Sequence, residues 1–397
     1  MSVIVQKFGG SSLTKPEQRE MAARRVVAAV RAGYTPVVVV SAMGRSGDPY
    51  ATDSLIQLCR AEHPDPIARS LDMVMACGEI ISAVVFSGVL RRLGYEAVPL
   101  SGGQAGLFTD EVYGHAAVQH VLPERLQVLT AQGRIPVVAG FQGISANGDW
   151  TTLGRGGSDT TAALLGEALE SSCVEIYTDV DGIMTADPRL VPHARVLRHI
   201  GYGEVFQIAD QGAKVIHTGA VAVSQRSGIP LVIRNTANDL PGTIISDRGT
   251  GEEHRTVSSI TYLPGRCQVN VQADTCTRQH LLEGLAENGV SIDLINIFPD
   301  RMLFTVGDAD ADKVEALCGD GNVQVALLAE CAKISAVGEA MRGVPGVMVR
   351  ILRALESAQV EVLQSVDSLS TISCLVRGQE TTASVLALHE AFGLSGS

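Results

Sequence analysis

Two glycine-rich segments carry the residue types that phosphate and carboxylate chemistry require. Lys7-Phe8-Gly9-Gly10-Ser11-Ser12 joins an apolar run to a helical pattern. Glycines there let backbone N–H groups approach an anion closely, and a lysine at a strand end adds a point charge. A plain tight turn explains the same glycines. Gly154-Arg155-Gly156-Gly157-Ser158-Asp159-Thr160-Thr161 is denser. Arg155 can grip a carboxylate through two parallel hydrogen bonds, and Asp159 can hold an ammonium group. Ser158 reads as the N-cap of the helix that follows, with Asp159 favoured by the helix dipole.

Other polar turns are more ambiguous. Thr178-Asp179-Val180-Asp181-Gly182, with Asp187-Pro188-Arg189 beyond it, fits carboxylates for a metal or for nucleotide hydroxyls. It fits an ordinary Asp-Gly turn equally well. Lys214-Val215 follows Gly212, in a chain where only 5 of 31 basic residues are lysine. Phosphate binding and a surface ion pair both account for that placement. Glu79 lies in an apolar helical run, where a lone carboxylate is costly unless paired. Ser41-Ala42-Met43-Gly44 and Thr52-Asp53 complete the set.

Several function classes are excluded. His115, His120, His193, His199 and His217 lack metal-ligand spacing, so no metal site is expected. The 8 cysteines are dispersed without a CxxC pair, as in a reduced intracellular protein. A net charge of −12 argues against a dedicated nucleic-acid binder, which needs a basic face. With 46% apolar residues the chain has material for real cores and is not disordered. The longest apolar stretch, 80–90, falls short of the roughly 20 residues a membrane span needs. The N-terminal apolar run is too short for a signal peptide. A soluble, cytoplasmic protein is the expectation.

The elements that must position these residues alternate. Apolar β-branched runs predict strands at 3–8, 36–41, 97–100, 135–139, 174–178 and 230–234. Helical patterns cover 16–32, 72–93, 123–132, 158–169 and 204–227. Strand and helix in alternation predict an α/β fold, a mostly parallel sheet sandwiched by helices. Ligands in such sheets bind beyond the carboxyl ends of the strands, where the glycine-rich turns fall. Residues 239–255 are small, polar and turn-forming, and read as a domain boundary.

After the boundary the pattern repeats. Leu281-Leu282-x-x-Leu285 with Val290-x-Ile292 returns as Ile351-Leu352-x-x-Leu355 with Val360-x-Val362. Each copy predicts a helix and a half-buried strand, then a second strand at 302–306 or 371–376. A helix closes each copy, at 311–317 or 381–392. With the apolar runs 267–271 and 333–337 in front, this is a ferredoxin-like βαββαβ unit present twice.

Taken together the motifs resemble the aspartate kinases of the amino-acid kinase superfamily. The resemblance rests on Val5–Ser12, Val39–Gly44, Cys77-Gly78-Glu79, Ala139–Gly143, Gly154–Ala162, Tyr177–Ile183, Thr185–Arg189 and Gly212–His217, in family order. The C-terminal repeat resembles the tandem ACT regulatory domains of that family. The resemblance implies a catalytic domain over 1–246 and ACT domains over 258–332 and 333–397, with 259–264 lending a strand to the second. It implies transfer of the ATP γ-phosphoryl group to the β-carboxylate of L-aspartate, with Mg²⁺ on the phosphates. Lys7 would span the transferring phosphate and the attacking carboxylate. Phe8, Gly9, Gly10, Thr178, Asp179, Asp187, Arg189, Lys214 and Val215 would contact the nucleotide. Arg155 would hold the aspartate α-carboxylate, Glu79 and Asp159 its ammonium, and Ser41 and Thr52 its β-carboxylate, with Ser158 beside them. An amino-acid effector (lysine, threonine or diaminopimelate) would bind the ACT domains, with Asp274 and Asp293 as ligands for its ammonium. The ACT domains would also form a homodimer or higher oligomer. A dinucleotide-dependent oxidoreductase would need a GxGxxG turn, which follows no strand here.

Overall fold

The computed structural model describes residues 2–212, 216–247, 256–318, 324–338, 341 and 344–395. The chain divides into two compact units. One comprises Met1–Ile183, Val196–Phe206 and Lys214–Glu252. The other comprises Met184–Arg195, Gln207–Ala213 and Glu253–Ser397.

In the first unit, unbroken Val and Ile runs form the inner strands of an eight-stranded sheet. Its order is His199–Ile200, Thr243–Ile245, Leu231–Asn235, Val174–Thr178, Val3–Phe8, Thr35–Val40, Ile135–Ala139, Ala97–Leu100. Neighbours run parallel except Leu231–Asn235 with Thr243–Ile245. Val37 to Val40 have no exposed surface, as a parallel strand covered on both faces requires. Phe8, Val38, Phe86, Leu90 and Ala139 share one core cluster. Fully burying a side chain such as Phe86 stabilises by roughly 1.5–3 kcal/mol. The register of the central strands is fixed by a buried polar group. Glu175 accepts from Gln6 (2.8 Å) and the Tyr177 hydroxyl (3.0 Å), and pairs with Arg234 (3.1 Å).

The helix Ala68–Arg92 is, among the described residues, the one helix long and apolar enough to cross a membrane. It is longer than the 80–90 stretch singled out by sequence. Its packing explains the composition. It lies against Ala97–Leu100, Ile135–Ala139 and Trp150–Thr152 and buries Asp72 and Glu79. It is a core helix.

Four short strands escaped the sequence reading: Val118–Val121, Leu107–Thr109, Gln142–Ser145 and Trp150–Thr152 form a second sheet in that order. At three or four residues each, they are too short to establish a period-2 pattern. The expected boundary at 239–255 contains the sheet strand Thr243–Ile245. The expected helix 204–227 is two helices, Tyr202–Asp210 and Thr218–Ser227.

The second unit is built on a six-stranded antiparallel sheet. Its order is Asp293–Ile297, Arg301–Gly307, Ser259–Gln272, Gln324–Val337, Thr371–Arg377, Gln364–Asp367. Two strands of 14 residues run through both halves. Residues 266–272 pair with 301–307, whereas 259–263 pair with 333–337. Two cores result. One gathers Cys267, Leu281, Leu285, Phe304 and Val314, and the other Ile260, Ile334, Ile351, Leu355 and Leu388. The apolar pairs Val290-x-Ile292 and Val360-x-Val362 come just before the strands, which begin at Asp293 and Gln364. Val290 and Val360 are core residues of the turns leading in.

The segment Met184–Arg195 belongs to this second unit. Ala186 and Val191 are buried in the core with Ile260 and Leu388. The Ile260 N–H donates to the Thr185 carbonyl (2.8 Å), and the Thr185 hydroxyl meets buried His389 at Nε2 (2.9 Å).

Candidate active site

A cleft of about 510 Å³ opens beyond the carboxyl ends of Val3–Phe8, Thr35–Val40 and Ile135–Ala139. Lys7, Gly10, Ser41, Thr52, Glu79, Arg155, Ser158 and Asp159 all line it. Eight residues predicted from five separate segments therefore meet at one place.

Lys7 is set by sheet register, paired with Val39 on one side and Ile176 on the other. Its ammonium forms an ion pair with Asp159 at 2.6 Å, and both side chains are largely buried. Asp159 sits in the first turn of the helix Gly157–Ala168, where the dipole favours a carboxylate. That helix is not capped by Ser158, as its sequence predicted. Its cap lies two residues earlier, at Gly156 with φ +72°. Only glycine serves there: a Cβ would stand 2.1 Å from the His217 ring. Ser158 is instead a buried second-position residue facing the cleft. Arg155, between two glycines at φ +72°, is exposed and pairs with no side chain among the described residues.

Glu79 is the most perturbed group in the cleft. It is 2% exposed. One carboxylate oxygen accepts the Ala42 N–H at 3.0 Å, and the other is buried without a partner. Burial pushes Glu79 up to about 8, against the pull of the Ala42 N–H. A cationic ligand would restore its charge.

The Lys7 loop is corrected in two places. The Gly9 N–H is used by the Tyr177 carbonyl (3.2 Å), so it does not serve as an anion donor. The donors remaining to the loop are Gly10 and Ser11, which open the 3₁₀ turn Gly10–Ser12. The Phe8 side chain is fully buried and stacks on Tyr177 with ring centroids 4.8 Å apart. Any ligand contact of Phe8 is thereby limited to its backbone.

The remaining predicted residues lie elsewhere. Thr178 and Asp179 end the adjacent strand, and Asp179 pairs with Arg45 at 2.5 Å. Asp187 and Arg189 are in the second unit, where Arg189 grips Asp187 through two nitrogens (3.0 and 2.6 Å) and holds its carboxyl below the usual range. Lys214 and Val215 lie outside the described residues. Asp274 caps the helix Thr275–Glu287, accepting from the Thr277 N–H at 2.9 Å. Asp293 pairs with Lys333. Sequence reasoning missed Met75, Gly114, Phe141 and Thr152, which also line the cleft. Phe141 carries φ +70°, an uncommon conformation for a side-chain-bearing residue that no sequence signal announces.

A mostly parallel sheet with this cleft at its carboxyl edge is the architecture of an amino-acid kinase. Residues 2–235 match the Amino acid kinase family, and residues 328–390 match the ACT domain. Aspartokinase 1 of Bacillus subtilis (strain 168) is 40% identical over 403 residues, covering 100% of both chains. A crystal structure of E. coli aspartokinase III in complex with aspartate and ADP (R-state) aligns with a TM-score of 0.77 at 23% identity, covering 98% of this chain and 99% of that one. The same E. coli protein in complex with lysine and aspartate (T-state) gives 0.79 at 23% identity, covering 99% and 100%. The chain belongs to the aspartokinase family and is a kinase.

Proposed function

We propose that the enzyme transfers the γ-phosphoryl group of ATP to the β-carboxylate of L-aspartate, giving 4-phospho-L-aspartate. The observation that carries this reading is the pairing, in one cleft, of an unpartnered arginine with a buried, half-satisfied glutamate. An α-amino acid presents a carboxylate to the first and an ammonium to the second. Arg155 holds the α-carboxylate through its fork, and Glu79 and Asp159 hold the ammonium. Ser41 and Thr52 receive the β-carboxylate, with Ser158 lining the same wall.

Phosphoryl transfer between two anions depends on positioning and on neutralising charge. Lys7, held by Asp159 at 2.6 Å, stands between the transferring phosphate and the attacking oxygen. No base is required, because a carboxylate is already ionised at neutral pH. Gly10 offers a backbone donor to the phosphates. Thr178, Asp179, Lys214 and Val215 complete the nucleotide contacts. The described residues gather no group of three or more metal ligands. Mg²⁺ carried in with the nucleotide would supply neutralisation of the phosphate charge.

The catalytic domain is assigned to 1–246 and two ACT domains to 258–332 and 333–397. The pairing of 259–263 with 333–337 supports the loan of that strand to the second. The ACT pair binds an amino-acid effector (lysine, threonine or diaminopimelate), with Asp274 and Asp293 near it, and joins subunits. The enzyme is cytoplasmic and opens the route from aspartate to lysine, threonine and methionine. ADP release measured across the proteinogenic amino acids and β-alanine, which is aspartate without its α-carboxylate, tests the core of this reading. Turnover with L-aspartate alone is expected, and equal turnover with a substrate lacking the α-carboxylate sinks it.

A further inference from the structure

Asp72 has no exposed surface, yet nothing in the reaction uses it. It lies seven residues before Glu79 in the helix Ala68–Arg92, about 10 Å along the same face. Its carboxylate makes three hydrogen bonds. One oxygen accepts the N–H of Gly114 (2.9 Å) and that of Thr152 (2.8 Å), and the other accepts the Thr152 hydroxyl (2.8 Å). Gly114 and Thr152 both line the cleft. They come from separate segments that also bind each other, through the Ala116 N–H to the Thr152 carbonyl at 2.9 Å.

The position of Thr152 gives this clamp its meaning. Arg155 follows three residues later, in a loop of three glycines with two left-handed backbones. Such a loop has more conformations to lose than any other composition. Its downstream end is fixed by the helix Gly157–Ala168. Its upstream end is fixed by Leu153, whose N–H donates to the Phe141 carbonyl at 2.9 Å, and by Asp72 through Thr152. We infer that Asp72 is a positioning residue for the amino-acid side of the cleft: it ties the Gly114 and Thr152 segments to the helix that bears Glu79, and so sets Arg155 at a fixed distance from that carboxylate. This rests on the proposed role of Arg155.

Asp72 acts here through geometry and not through charge. An asparagine at 72 can keep one oxygen on the two N–H groups and turn its amide toward the Thr152 hydroxyl, which then accepts. Alanine leaves the two Thr152 donors buried and unmet and frees the half-buried Gly114 N–H. Full-length Asp72→Ala should raise KM for aspartate by about tenfold or more, since small displacements of a positioning group are costly. KM for ATP should stay within about twofold, and Asp72→Asn should lie close to the parent. In the double variant Asp72→Ala/Arg155→Ala, KM for aspartate should match that of Arg155→Ala alone. If Asp72→Ala fails to fold, Thr152→Val takes its place in the same cycle with a smaller rise. Equal rises in both KM values, full additivity with Arg155→Ala, or Asn no better than Ala would each overturn the inference. If Arg155→Ala itself leaves KM for aspartate unchanged, the functional reading has failed and not this step alone.

Discussion

Glu79 in the cleft and Asp293 in the antiparallel sheet are both acidic groups drawn out of bulk water, and their surroundings treat them oppositely. Glu79 receives a single N–H and no cation, and burial pushes it up to about 8. Burial would raise Asp293 too, but Lys333, itself 4% exposed, and Arg266 hold it below the usual range. A carboxylate without a resident counter-charge is one that a ligand has to complete. A carboxylate with its own lysine carries its counter-charge before any ligand arrives. The contrast extends to pH. The Glu79 pKa is raised on folding, so stability is lost as pH rises from about 4.5 toward about 8. The Asp293 pKa is lowered, so its contribution is present above the unfolded carboxylate range and is lost as pH falls through the folded value.

The contrast can be broken first at Lys7. Lys7→Ala should cut kcat by at least about 10²–10³, because a placed charge leaves the transition state. Tm should fall as well, because Asp159 is left buried without its counter-charge. Near-normal turnover would mean that phosphoryl transfer happens outside this cleft. Lys333→Met makes the opposite test, on the compensated carboxylate. With Asp293 about a third exposed, the loss should be about 1–3 kcal/mol, read as a Tm drop of about 3–8 °C in calorimetry. Kinetic constants without effector should hold, and Asp293→Asn in the same chain should recover part of the loss. An unchanged Tm would erase the distinction drawn here.

Arg155→Lys keeps the charge and removes the fork, so KM for aspartate should rise about tenfold with KM for ATP within about twofold. A rise for ATP alone would detach Arg155 from the amino acid. The gentlest probe is pH. Only ionised Glu79 attracts an ammonium group, so KM for aspartate should fall by up to about eightfold between pH 7 and 8.5. Glu79→Gln should flatten that slope and be the more stable form, relative to the parent, as pH rises. A parallel slope in the Gln variant would place the titration on another group.

Legibility in the sequence followed the physics of each element. Long buried strands such as Val3–Phe8 and Ile135–Ala139 were readable to the residue, because nothing competes with an unbroken β-branched run. The sheet containing Trp150–Thr152 was invisible, since its strands are shorter than their own periodicity. In the cleft, Lys7, Glu79, Arg155 and Asp159 stood out by chemistry against an apolar or glycine background. Gly114, Phe141 and Asp72 did not. Their roles are a backbone position, a left-handed φ and a set of hydrogen bonds reaching 80 residues along the chain. Ser158 misled because a hydroxyl beside glycines imitates an N-cap, whereas the crowding of His217 against Gly156 decides where the helix starts.

The segment Met184–Arg195 has a consequence for how the protein is made. A ribosome releases it well before the residues that enclose it: Thr185 waits 204 residues for His389. Until then Ala186 and Val191 have no apolar partners from that core, and the nascent chain carries an unfinished stretch between two strands of its first sheet. Such intermediates are where chaperones and aggregation compete. A chain ending at Ser246 would keep that condition permanently. The C-terminal unit is therefore not separable at a single cut: exchanging it intact means carrying residues 184–195 along with it.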